Sequence, residues 1–85
     1  MDQASLWKQA LAHEKTDPDA ALRDYAEYER LFPHAPDAED AAWNRVIILR
    51  DAHRDDEMRA AAAQYVRKYP TGFYIATAKQ LASKR

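Results

Sequence analysis

Gly72 is the only glycine among 85 residues, and this scarcity narrows the fold more than any other feature of the chain. Tight hairpins, phosphate-cradling loops and flexible linkers all draw on glycine, so a chain nearly without it is asked to stay helical. Hydrophobic residues at 47% and charged residues at 32% fit a water-facing helical domain rather than a disordered segment. The length predicts one domain over residues 1–85, too small for a deep catalytic cleft and dependent on efficient helix packing.

Proline and acidic residues punctuate the chain into five segments. The first predicted helix runs from about Gln3 to Lys15. Thr16-Asp17-Pro18-Asp19 closes it and opens the next, with Asp17 as N-cap and Pro18 at the first helical position. A second helix spans Pro18 to Phe32, with Leu22, Tyr25, Ala26, Tyr28 and Leu31 near helical spacing, and stops at Pro33. After His34-Ala35-Pro36-Asp37, a third helix covers Ala38 to Ala52. Its residues Ala42, Trp43, Val46, Ile47, Ile48 and Leu49 are apolar on nearly every side, which places it in the middle of a bundle or along a groove. His53 to Asp56 predicts a turn, Glu57 to Tyr69 a fourth helix, and Phe73 to Ser83 a fifth, with Lys84 and Arg85 suited to the negative end of its dipole.

Sliding the chain by 37 residues brings Tyr28 onto Tyr65, Ala26 onto Ala63, Arg30 onto Arg67 and Pro33 onto Pro70. A period in the mid-thirties with two helices per period points to stacked helical hairpins. The expected division is 1–35 for the first hairpin, 36–72 for the second and 73–85 for a capping helix. The stretch from Ala60 through Tyr65, Tyr69-Pro70 and Phe73 to Ala78 resembles the tetratricopeptide repeats, in particular the Tyr-Pro variant of bacterial envelope proteins. That variant occurs in the outer-membrane barrel-assembly lipoprotein and the Tol-Pal-associated periplasmic protein. The small residue usual in the first helix of a repeat is replaced by Gln9 and Val46 in the 37-residue register, and the one opening the second helix is Ala21 in one unit and Met58 in the other. The resemblance implies an all-α, right-handed solenoid fragment of about two hairpins and a cap. It also implies that the first helix of each hairpin lines a binding face.

On that register Trp43, Ile47, Arg50 and Asp51 fall on the binding face, with Leu6, Ala10 and His13 beside them. Trp and Arg are enriched among energetic anchors at interfaces, so these residues are the expected partner-binding set. The alternative is that Trp43 and Ile47 are core of a five-helix bundle. Tyr25, Tyr28, Tyr65, Tyr69 and Tyr74 sit at helix-packing positions and are expected in the core with hydroxyls reaching the surface.

Chemistry is harder to place. There is no cysteine, and His13, His34 and His53 lie near helix ends rather than at metal-ligand spacing. Ser5, Thr16, Thr71, Thr77 and Ser83 sit in no nucleophile turn, and the pairs Glu39-Asp40 and Asp55-Asp56 suit helix starts. Neither catalysis, a metal nor a cofactor is expected. Thirteen Lys and Arg balance fourteen Asp and Glu. Arg50 and Arg54 sit among Asp51, Asp55 and Asp56, and the cluster Arg67, Lys68, Lys79, Lys84 and Arg85 reads as a solvated face, so nucleic acid is the least favoured partner. No apolar run reaches membrane-spanning length, and no direct insertion is expected. The expected activity is that of a protein-interaction module holding a peptide or helix, with self-association or a spacer role as the alternative. The setting is periplasmic for an excised envelope domain and cytoplasmic otherwise.

Overall fold

A computed structural model describes residues 2–83 and is all-helical, with five helices: α1 Gln3–Thr16, α2 Pro18–Leu31, α3 Ala38–Asp51, α4 Asp55–Lys68 and α5 Ile75–Ser83. The expected closing cations Lys84 and Arg85 lie outside the described residues.

Local chemistry sets the helix ends. Asp2 caps α1 by accepting from the Ser5 N–H at 2.7 Å. Asp17 both ends α1 and caps α2, accepting from the Ala20 N–H at 3.2 Å, with Pro18 behind it as the sequence predicts. After α3, Ala52 and His53 turn the chain by a left-handed step, with φ of 58° at His53. The His53 and Arg54 N–H groups return to the carbonyls of Arg50 and Leu49, the two bonds of a Schellman stop. That stop takes only 52–54, so α4 begins at Asp55 and not at Glu57 as expected. Asp55, Asp56 and Glu57 then occupy its first turn, where the helix dipole favours carboxylates. The fifth helix begins late, at Ile75 and not at Phe73, because the preceding N–H groups are held elsewhere. Phe73 N–H donates to Glu39 Oε2 at 2.8 Å and Tyr74 N–H to the Tyr65 hydroxyl at 3.0 Å.

Neighbouring helices run antiparallel: Gln3 meets Tyr28 while His13 meets Asp24, and Glu39 meets Tyr65 while Arg45 meets Gln64. The main packing is between consecutive helices, and the molecule is a flattened body of 36 × 27 × 15 Å. Its core divides along α3. Ala41 and Ile48 join Leu6, Ala10, Ala21, Tyr25 and Tyr28 on one side. On the other side Ala42, Trp43, Val46 and Leu49 join Met58, Ala62, Tyr65 and Ala78. The all-round apolar character of α3 thus serves two neighbours at once.

Positions 37 apart in α2 and α4 share environments: Ala21, Tyr25 and Tyr28 form the buried stripe of one, Met58, Ala62 and Tyr65 that of the other. The turns after them also match, since the N–H groups of Ala35, Ala38 and Ala41 bond to Phe32, Ala35 and Asp37, and those of Gly72, Ile75 and Ala78 to Tyr69, Gly72 and Tyr74. In α1 and α3 the matching offset is 36. Trp7 packs edge-on to Tyr28 at 5.1 Å as Trp43 packs tilted to Tyr65 at 5.5 Å, and the amide of Gln3 and the carboxylate of Glu39 each meet the facing tyrosine hydroxyl at 2.7 Å. Val46 therefore corresponds to the buried Ala10, not to Gln9 as the 37-residue register implied. One additional residue in the α3–α4 turn, absorbed by the left-handed His53, restores 37 for the second helices.

Candidate protein-docking site

Burial separates the seven expected docking residues. Leu6 and Ala10 are enclosed with α2, and Trp43 is 8% exposed, stacked on Tyr74 with ring centroids 4.8 Å apart and planes 5° from parallel. These three are core, which corrects the expectation that they line an open face: α2, α4 and the turn before α5 all close on α1 and α3. Ile47 is half-buried against the same core. His13 points to α2, donating to Asp24 Oδ2 at 2.7 Å, while Gln9 donates to the other carboxylate oxygen at 3.0 Å. Asp24 is therefore a buried helix-to-helix clasp. His13, expected beside the docking face, is instead turned to this pairing, because Asp24 projects across the α1–α2 seam.

Arg50 and Asp51 remain exposed at the C-terminal end of α3, within 3.3 Å of one another. Around them the Schellman turn, the start of α4 and the end of α5 form an open cleft of about 600 Å³, lined by Arg50, Asp51, His53, Asp55, Met58, Arg59 and Leu81. Asp51 is shared with a smaller hollow of about 230 Å³ on the other flank, where Ile47, Ile48 and Pro18 lie beside Glu14. The floor is apolar, supplied by the buried Met58 and the half-buried Leu81, and the walls alternate Arg50 and Arg59 with Asp51 and Asp55. Arg59 is held by Asp56 one turn back, and nearby Arg54 bridges Asp19 at 2.5 Å and Glu57 at 2.7 Å. Such a site offers guanidinium donors, carboxylate acceptors and an apolar seat to a polypeptide.

No family model matches the chain, and no curated protein or solved structure matches it significantly. Among the described residues no three His, Cys, Asp or Glu side chains converge as a metal site would need, and no helix is long and apolar enough to cross a membrane.

Of the expected set only Arg50 and Asp51 line this cleft, and no signal in the sequence marks His53, Asp55, Met58, Arg59 and Leu81 as their neighbours. Nothing in their spacing brings α3, α4 and α5 ends to one place; the Schellman turn and the late start of α5 do. A second polar cluster joins α2 to the second hairpin. Glu29, 6% exposed, lies 2.9 Å from Arg45 and 3.3 Å from Lys68. It ties helices together as Asp24 does, and its hollow is walled by charged and amide side chains with only Ala26 as an apolar contact.

Proposed function

We propose that this chain is a non-catalytic protein-interaction module of tetratricopeptide-like helical hairpins, holding a partner peptide or helix in the cleft at the C-terminal end of α3. The observation that carries the reading is the cleft itself: about 600 Å³ of open space with Met58 and Leu81 beneath and charges of both signs around it. The tetratricopeptide-like part is supported by consecutive-helix packing and by the matched offsets of 36 and 37. The Tyr69-Pro70 ending supports a place in a larger bacterial assembly, by resemblance.

The test is capture of partners from bacterial envelope and cytosol extracts by the wild-type chain and by an Arg50→Ala/Arg59→Ala variant. Neither arginine belongs to the core, so the variant should keep its helical circular dichroism. A partner held by the wild type and released by the folded variant supports the cleft; equal retention sinks it.

A second reading, self-association, is favoured by Phe73, which leaves 87% of its surface exposed. Sedimentation of the protein alone over a range of concentrations separates the two, since only self-association changes with dilution.

A further inference from the structure

We propose that the open face of Trp7 is a second binding site, for a tyrosine-type side chain of a partner polypeptide that carries a basic residue beside that tyrosine. The molecule contains an occupied counterpart. Trp43 is covered by the ring of Tyr74, which stacks on it at 4.8 Å and packs edge-on to Tyr65 at 6.4 Å. Trp7 stands 36 residues before Trp43 and packs on Tyr28 as Trp43 packs on Tyr65. The residue 37 before Tyr74 is Asp37, at the same place in the same hydrogen-bonded turn, because Ala41 N–H bonds to the Asp37 carbonyl as Ala78 N–H bonds to that of Tyr74. A carboxylate is too short and too strongly hydrated to cover an indole. A cavity of about 450 Å³ is left over Trp7, lined by Gln3, Ala4, Trp7, Lys8, Tyr28 and Asp37.

The two sites differ in charge. Burial first, and then the nearby charge of Asp40, raise the Tyr74 phenol above its ordinary pKa. The residue 36 before Asp40 is Ala4, so no carboxylate stands on α1 where Asp40 stands on α3. Lys8 lines the same cavity, and a guest hydroxyl within its reach accepts from the ammonium. At the other end the Asp37 carboxylate makes no capping hydrogen bond and, among the described residues, no ion pair. It stands where the guest's main chain enters and selects a cation there. This site shares no residue with the cleft at the end of α3, so either can fail without the other.

The experiment is an NMR titration of the whole chain with acetyl-Tyr-Arg-amide. The expected result is saturable movement of the Trp7 indole signal and of the Gln3 and Lys8 amides, with the Trp43 indole unmoved. Replacing the tyrosine of the peptide by leucine should weaken binding about threefold to tenfold, the value of an aromatic pair beyond its area. Replacing its arginine by glutamate should also weaken it. Asp37→Tyr, which supplies the ring from within, should abolish the titration and melt about 3–8 °C higher. Asp37→Asn keeps a helix-capping residue and should remove only the preference for arginine, so the charge assignment stands or falls even if Asp37→Tyr folds poorly. The proposal is overturned by an unmoved Trp7 at saturating peptide, or by leucine and tyrosine peptides binding alike. It is equally overturned if Trp7 shifts with protein concentration alone and Phe73→Ala stops it, because the guest is then a second copy.

Discussion

The Tyr65 hydroxyl ties α4 to α3 and to the turn before α5, each through one hydrogen bond. It donates to Glu39 of α3 at 2.7 Å and accepts from the Tyr74 N–H at 3.0 Å, and its ring lies under Trp43. Burial raises its pKa well above the ordinary phenol value, and the bond to Glu39 adds to that. Tyr65→Phe removes the bridge, leaves the Tyr74 N–H without its acceptor and takes one of two donors from Glu39 Oε2, which keeps the Phe73 N–H, so a loss of about 1–3 kcal/mol is expected in urea unfolding. Gly72 is required beside it: a β-carbon there would meet the Tyr65 hydroxyl, and would lie 2.9 Å from Glu39 Oε2. Gly72→Ala should cost roughly 1–3 kcal/mol, the range for overpacking. The matching Ala35 is tolerated because its turn lacks that bridge; Pro36, at the place of Phe73, has no N–H to donate. The only glycine of the chain thus serves close packing, with no positive φ at its position.

Among the helix junctions, His53 accepts backbone strain to stop α3. A left-handed residue with a β-carbon costs roughly 1–2 kcal/mol, and His53→Gly should recover about half to all of 1 kcal/mol, read as a higher urea midpoint with unchanged slope. Asp17→Ala should act in the opposite sense, costing about 0.5–2 kcal/mol by freeing the Ala20 N–H in the first turn of α2. The single residue joining α1 to α2 leaves no slack to compensate. Helix ends were largely legible in the sequence because caps and prolines act locally. The starts of α4 and α5 were displaced by two residues each, since a Schellman turn and a carboxylate from a distant helix decided them.

Taken whole, the molecule relies on α5 as a lid. Ala78 is fully buried, and Tyr74, Ile75 and Leu81 pack on the cluster around Trp43 and Tyr65. Ending the chain before Ile75 would expose one of its two core clusters, and the expected outcome is loss of the cooperative thermal transition. Alkaline pH should act on both halves. Burial, with the charge of Glu14, pushes the Tyr25 phenol up to about 12 from 10.0, and burial also raises those of Tyr65, Tyr69 and Tyr74. A folded-state pKa above the unfolded one means the stabilisation is intact below pH 10 and declines as the pH rises from 10 toward 12. Urea midpoints should fall across that window.

Glycine scarcity, capping and apolar spacing are enough to make this chain helical, to place its five segments, to bury Tyr25, Tyr28 and Tyr65 and to set α3 between neighbours. Each of these signals acts over a turn or two of chain, which is why residue order alone carries them. Which face of each first helix stays open is settled at longer range. Trp43 carries the anchor chemistry of an interface residue, yet Tyr74 covers it; Trp7 carries the same chemistry and Asp37 leaves it uncovered. Identical indoles thus differ in role because of a residue on a distant turn, and accessibility is a property of packing that no local pattern encodes.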